Sequence, residues 1–145
     1  MPELPFKYEY PRHAVAVDLI VVRSDSDELR EILLIERGRE PFKGSWALPG
    51  GFLEEHETLE EGAARELKEE TGVAVGLDQL FQLKAYSQPN RDPRTRVISV
   101  VFLAKVQEGT KAAADDDAAD AKWFQLDDLP ALAFDHSTII ADWRR

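Results

Sequence analysis

Residues 51 to 73, GFLEEHETLEEGAARELKEETGV, constrain the fold of this chain more than any other stretch, because they encode both ends of one helix and set carboxylates along it. Thr58 followed by Glu61 is a capping box, in which each side chain satisfies a free amide of the first helical turn. Gly72 supplies a residue able to enter the left-handed region after the last turn, and Val73 offers an apolar contact beyond it. These signals predict a helix from about Leu59 to Thr71. At ~100° per residue, Leu59, Ala63 and Leu67 mark its inward side. Glu66 and Glu70 fall among them, and Glu69 lies at the edge of that side.

Ionised carboxylates buried without a partner cost several kcal/mol each, and the sequence places no lysine or arginine on that side of the helix. A divalent cation answers the imbalance. Oxygen ligands in a chain without cysteine favour a hard ion, Mg²⁺ or Mn²⁺, over zinc. Arg65, one turn from both Glu61 and Glu69, is placed to orient a ligand. Glu60, Glu61 and Lys68 point outward and read as a solvated face.

The constellation Gly51, Glu57, Arg65, Glu66, Leu67, Glu69, Glu70, Gly72 and Val73 resembles the box of the Nudix hydrolases, position for position. The resemblance implies that Glu66, Glu69 and Glu70 bind Mg²⁺, with the Gly50 carbonyl as a further ligand. It also implies that Glu57 and Arg65 hold the loop against the helix, and that water splits a nucleoside diphosphate linked to another moiety. The general base is left open between Glu66 and the late acids Asp116, Asp117 and Asp120; the run DDDAADAKWF resembles the corresponding part of ADP-ribose-type members, while Asp115 reads as solvated.

The rest of the chain supplies a sheet for this helix. Ala14 to Val22 and Glu31 to Glu36 are apolar, β-branched runs expected to form a hairpin, and Trp46 to Leu48 is a short extended piece. Pro49, Gly50 and Gly51 predict a flexible, low-bulk loop whose backbone oxygens approach an ion. Leu80 to Ser87 and Arg96 to Val106 are strand candidates joined by the turn QPNRDPRT, the second suited to a sheet centre. Gln107 to Asp120 reads as a mobile loop, Trp123 to Gln125 as a short strand, and FDHSTIIADW as a terminal helix capped by Asp135. The expected fold is α/β, an α/β/α sandwich around a mixed sheet with residues 1–145 as one domain; the Nudix resemblance implies the same.

A net charge of −10 argues against nonspecific binding to nucleic acid or anionic membrane, so an acidic ligand must be drawn in locally by metal and a few arginines. No apolar run is long enough to span a bilayer, and the N-terminal residues lack the apolar core of a signal peptide, so a cytoplasmic protein is expected. Phe6, Tyr8 and Tyr10 allow a homodimer contact or packing on the chain's own sheet.

YSQPNRDPRTRVISVVFLA and LAFDH resemble a bacterial and archaeal subgroup associated with ADP-ribose hydrolysis and ADP-ribose-sensing regulators. Arg94 and Arg96 suit two-pronged phosphate pairing and Phe134 suits stacking on adenine, with Gly51 close to the ligand; the plainer reading makes RDPR a solvated turn and Phe134 a core residue. Phe42 and Tyr86 are assigned to packing, as are His136, His13 and His56 to structural roles. The resemblance implies cleavage of ADP-ribose to AMP and ribose 5-phosphate. A nucleoside-triphosphate pyrophosphatase of the sanitising type is the alternative, and a non-catalytic ADP-ribose sensor a third reading. Such sensors carry a DNA-binding domain after the Nudix fold, whereas this sequence stops at Arg145 and its box retains every acid.

Overall fold

Two apolar strands form the centre. A computed structural model describes residues 7–25, 28–114 and 118–145. Strand β1 (Ala14–Asp25) pairs antiparallel with β2 (Glu28–Arg37) as the expected hairpin. It also runs parallel to β6 (Val97–Val106), in register from Ala14–Val97 to Arg23–Val106. Outside them lie β3 (Trp46–Ala47) on β2 and β5 (Leu80–Tyr86) on β6, giving the order β3-β2-β1-β6-β5. Two further strands join this sheet: β4 (Gly50–Phe52) on β1 and β7 (Ala118–Gln125) on β2.

The central strands read as continuous apolar runs because both faces of the sheet are covered. Helix α1 (Leu59–Thr71) packs Ala63 and Leu67 against Val17, Leu19, Val100 and Phe102. Helix α2 (His136–Arg144) packs Ile139 and Ile140 on the other face, against Ile20, Val22, Leu34 and Val101. The alternation along β1 and β6 therefore sorts their side chains between two helices, which is the expected α/β/α sandwich. Among the described residues no helix is long and apolar enough to cross a membrane.

Helix α1 has the predicted bounds for the predicted reasons. Thr58 Oγ1 accepts from Glu61 N at 3.1 Å and Glu61 Oε1 accepts from Thr58 N at 2.9 Å. Gly72 ends the helix at φ 75°, its N–H donating to Lys68 O.

Several expectations are corrected. Gly50 and Gly51 do not form a flexible loop: they belong to β4, where Gly50 opposes Asp18 and Gly51 opposes Val17, because β1 offers them backbone partners. The return strand begins at Ala118, well before Trp123, since β2 pairs with it along its length, and Ala113 N is already fixed to Thr71 O at 3.0 Å. Asp135 stands at the start of α2, but its side chain makes no capping bond, because Arg91 takes both of its oxygens. Tyr8 and Tyr10 are exposed rather than packed on the sheet, and Phe6 lies outside the described residues.

Thr58→Ala is expected to cost about 1 kcal/mol of stability in urea unfolding, and combining it with Glu61→Ala to cost less than the sum, because the two bonds form one reciprocal cap.

Candidate active site

The ends of β1, β2, β4 and β6 and the flanks of both helices enclose a cleft of about 340 Å³. One wall is α1. Its spacing brings Glu66 and Glu70 to the cleft, while Glu69, one step further round, stands at its outer edge and does not line it. Gly51 passes so close that a Cβ there would lie 2.5 Å from Glu66 Oε1. At Gly50 a Cβ would collide with the Val17 carbonyl oxygen. Glycine at both positions is thus a condition for bringing β4 against the carboxylates.

Arg65 organises this wall. It grips Glu57 with two bonds, Nε to Oε2 at 2.9 Å and Nη2 to Oε1 at 2.6 Å, and reaches Glu66 Oε1 at 2.9 Å and Glu69 Oε2 at 3.1 Å. A further bond from Nη2 to Phe52 O at 3.2 Å ties the helix to β4. The expectation that no cation reaches the carboxylate side is therefore corrected: the long arginine side chain curls back along the helix. Glu61, also one turn from Arg65, is bonded to Thr58 instead. The bonds from Arg65 hold the Glu57 carboxyl below its usual range, and the same bonds raise the pKa of the guanidinium.

Glu70 is treated differently. Its Oε1 accepts Gly50 N–H at 2.7 Å, but burial pushes its pKa up to about 8, reinforced by the nearby charges of Glu66 and Asp18. Burial also raises Glu66, against the opposing pull of Arg65.

The opposite wall carries Arg37, Arg39, Arg91 and Arg94. Arg37 ends β2; burial and the neighbouring Arg94 lower its pKa. Arg94 is braced by Asp92, which accepts from its Nη2 at 2.7 Å and its Nε at 3.1 Å. Burial alone would raise Asp92, yet those bonds hold its pKa below the usual value. The guanidinium of Arg94 lies 4.8 Å from the Phe52 ring centre and 5.6 Å from that of Phe134, and Arg37 lies 4.9 Å from Phe134. Phe134 and Phe42 meet at 4.8 Å, and both hold positive φ, 54° and 61°. Such backbone strain on bulky residues is found chiefly where the surroundings fix a functional shape.

The floor contains Asp18 and His136. Asp18 accepts from the Ser99 hydroxyl and lies 3.7 Å from His136 Nε2. His136 Nδ1 accepts Leu48 N–H at 3.0 Å, so Nε2 carries the proton of a neutral ring, and full burial lowers its pKa in keeping with that.

Most of the residues expected from sequence are brought together here: Gly50, Gly51, Glu66, Glu70, Arg65, Arg94 and Phe134 line the cleft, with Glu57 behind Arg65. Arg96 does not line it; its Nη1 donates to Ser87 O, because β6 starts beside it and turns the side chain back along the preceding loop. Asp120 sits on β7 and bonds its neighbour Ala121 N, and Asp116 and Asp117 lie outside the described residues. Tyr86 is bonded to Asp142 away from the cleft. RDPR is no solvated turn, since Arg91 and Asp92 are buried. Sequence reading missed Asp18, Arg37, Arg39, Arg91 and Asp92. Asp18 had left a signal, a lone acid inside the apolar run AVAVDLIVV.

Among the described residues no three His, Asp or Glu side chains converge as an assembled cation site. Arg65 restrains Glu66 and Glu69, and Gly50 restrains Glu70. The donor chemistry nonetheless fits a hard divalent ion: the half-buried carboxylates of Glu66 and Glu70 line the cleft together with the buried Asp18.

Carboxylates facing arginines across a strained aromatic rim define a site for a phosphate-bearing ligand with a planar group. The NUDIX domain family matches residues 12–143, and the chain belongs to the Nudix family. It is 50% identical over 140 residues to an ADP-ribose pyrophosphatase of Methanocaldococcus jannaschii, covering 96% of this chain and 78% of that one. The NUDIX domain of Shewanella oneidensis NrtR in complex with ADP ribose superposes with a TM-score of 0.83 at 31% identity, over 93% of this chain and 88% of that one. A bifunctional NMN adenylyltransferase/ADP ribose pyrophosphatase of Francisella tularensis, complexed with AMP and a Mn ion, superposes at 0.79 with 33% identity; 94% of this chain spans 42% of that one.

The state of Glu70 sets a pH dependence. With a pKa of about 8 in the folded protein against an ordinary 4.5, the native state holds a proton that the unfolded chain has released. Its contribution to stability therefore falls as pH rises from about 4.5 to about 8 and stays low above that. In EDTA, thermal unfolding of Glu70→Gln is expected to show a higher midpoint than wild type at pH 8 and little difference at pH 4.5. Adding Mg²⁺ at pH 8 should raise the wild-type midpoint more than that of the variant.

Proposed function

We propose that the protein is a Mg²⁺-dependent pyrophosphohydrolase that cleaves ADP-ribose to AMP and ribose 5-phosphate. The observation that carries this reading is the pairing of two walls in one cleft, half-buried carboxylates on α1 and arginines beside Phe134. In the reaction one water attacks a phosphorus of the diphosphate, and the bond from that phosphorus to the bridging oxygen breaks. Each product leaves with one phosphate.

Glu66, Glu69 and Glu70 would hold the metal, Glu69 standing at the exposed edge of the helix beside Arg65. The Gly50 carbonyl is proposed as a further ligand. A bound divalent ion neutralises the diphosphate and lowers the pKa of an attacking water. Arg65 and Glu57 fix the direction of these carboxylates, so that little rearrangement is needed when the ligand enters. Arg37 and Arg94 pair with phosphate oxygens, Arg94 in an orientation already set by Asp92. Phe134, with Phe42 behind it, offers a ring for the adenine. Of the candidates for receiving the proton of the water, Glu66 lines the cleft and Asp120 does not, which supports Glu66 over Asp120 in that role.

The likeness to the ADP-ribose pyrophosphatase of Methanocaldococcus jannaschii supports the substrate, and the AMP and Mn ion in the Francisella structure support the nucleotide and a divalent metal. The acidic balance supports a small-molecule ligand over nucleic acid.

Product analysis with ADP-ribose, NADH, diadenosine polyphosphates and nucleoside triphosphates in Mg²⁺ tests this. AMP and ribose 5-phosphate should form fastest from ADP-ribose, and Glu70→Gln should lower kcat by about a hundredfold or more. Preference for triphosphates would transfer the protein to the sanitising type. Tight ADP-ribose binding without turnover would make it a sensor.

A further inference from the structure

The two walls of the cleft are fixed by neighbouring residues at the start of α2. Towards the carboxylate wall, His136 Nδ1 accepts Leu48 N–H at 3.0 Å with both groups buried. Two residues on, Gly50 N–H donates to Glu70 Oε1 at 2.7 Å. Between them, Pro49 O accepts Leu19 N–H at 2.9 Å, and just before them Trp46 O accepts Ala133 N–H at 2.8 Å. The segment from Trp46 to Gly50 is therefore held on one side by β1 and on the other by the approach to α2.

Towards the arginine wall, Asp135 leaves the helix amides uncapped and grips Arg91 instead, Oδ2 to Nε at 2.9 Å and Oδ1 to Nη2 at 2.7 Å. The Arg91 side chain is 4% exposed, so it holds the turn in place more than it meets solvent. Asp92, next to it, supports the Arg94 backbone N–H at 2.9 Å and its guanidinium.

We propose that Asp135 and His136 are separate positioning residues for the two halves of the site: His136 sets the carboxylate Glu70 through Leu48 and Gly50, and Asp135 sets Arg94 through Arg91. The proposal rests on the reading above, its substrate half on the ADP-ribose assignment and its other half on Glu70 as a metal ligand. Two adjacent residues thus divide the work: one aligns the metal ligand, the other the phosphate-binding cation. The two halves also meet at Asp18, which lies 3.9 Å from Arg91 Nη2 and 3.7 Å from His136 Nε2, beyond hydrogen-bond reach of either; a shift of α2 would move both walls together, whereas a change at one residue should disturb mainly one wall.

The test uses the full chain. Mn²⁺ titration followed by electron paramagnetic resonance, without nucleotide, reads the first half; KM and kcat for ADP-ribose read the second. His136→Gln, whose amide reaches beyond the Nδ1 position, should weaken Mn²⁺ binding by about tenfold or more, whereas His136→Asn, which keeps an acceptor near that position, should recover most of it. Asp135→Asn should raise KM by about tenfold with Mn²⁺ affinity unchanged, and Arg91→Lys should repeat that result. The proposal is overturned if His136→Gln binds Mn²⁺ like wild type, if His136→Asn is equally impaired, or if Asp135→Asn weakens Mn²⁺ or leaves KM unmoved. Should His136→Gln not fold, hydrogen exchange at the Leu48 amide of the wild-type protein decides that half: slow exchange supports it and rapid exchange overturns it. Absence of ADP-ribose turnover by the wild type would remove the hydrolase reading, while Mn²⁺ titration would still decide the role of His136.

Discussion

The carboxyl group of Glu70 is half-buried near Glu66 and Asp18, where burial and those charges oppose its ionisation, and the path of β4 is set by the bond that reaches it. A backbone N–H from Gly50 is the bond it receives. To deliver that N–H, the chain must pass within reach of α1 while remaining paired with β1, and only residues without side chains fit: a Cβ at Gly50 would enter the Val17 carbonyl and one at Gly51 the Glu66 carboxylate. A neutral hydrogen bond does not offset burial of an ionised carboxylate, which is why the pKa remains raised. The site is thus built with a deficit of positive charge, and a ligand that brings a divalent ion removes it.

Arg65 shows the other solution to the same problem. Glu57 and Glu66 are also largely shielded, but a guanidinium touches both. Its planar fork matches Glu57 with two bonds and leaves Nη1 to bridge Glu66 and Glu69, which lysine has too few fixed donors to do. The helix therefore contains a neutralised cluster that gives rigidity next to an un-neutralised one that gives affinity. Across the cleft the imbalance has the opposite sign. Arg94 weakens the hold of Arg37 on its proton, and Asp92 offsets part of that repulsion. On the reading proposed above, a diphosphate would be met by the arginines and its metal by the glutamates, so that one ligand would relieve both walls. In a chain of net charge −10 such a local concentration of arginines offsets the repulsion that the whole molecule presents to an anion.

How much of this is legible in sequence depends on whether the signal is local. Helix α1 is readable to the residue because its start and stop are encoded by side chains within one turn of the ends, Thr58, Glu61 and Gly72. Strands β1 and β6 are readable because apolar runs leave few other options. Strand β4 is not, since Pro49, Gly50 and Gly51 carry turn chemistry, and only the distant edge of β1 makes them a strand. The same division holds in the cleft. Glu57, Arg65, Glu66 and Glu70 share one segment and are found together. Arg37, Arg91 and Asp18 come from strands or loops far apart in the chain, and their meeting is a property of the sheet order. Arg94 does reach the cleft as its sequence suggests, but the burial of its neighbour Arg91 follows from Asp135, 44 residues away.

The sheet order also explains why chemistry gathers at this end of the molecule. Parallel pairing of β1 with β6 puts the starts of both strands together, so that Ala16, Asp18 and Val97 converge there, while the antiparallel neighbour β2 brings its end, Arg37, to the same place. Helix α1 enters through β4 and α2 through the Leu132 bridge to Trp46. Each element thus terminates or begins at the cleft with its backbone already committed to the sheet. The side chains that face the ligand are consequently held by rigid elements on every side, and loop residues such as Phe134 and Phe42 accept positive φ because both neighbours are fixed before they are reached. Strain at the rim and charge at the floor are two consequences of that convergence.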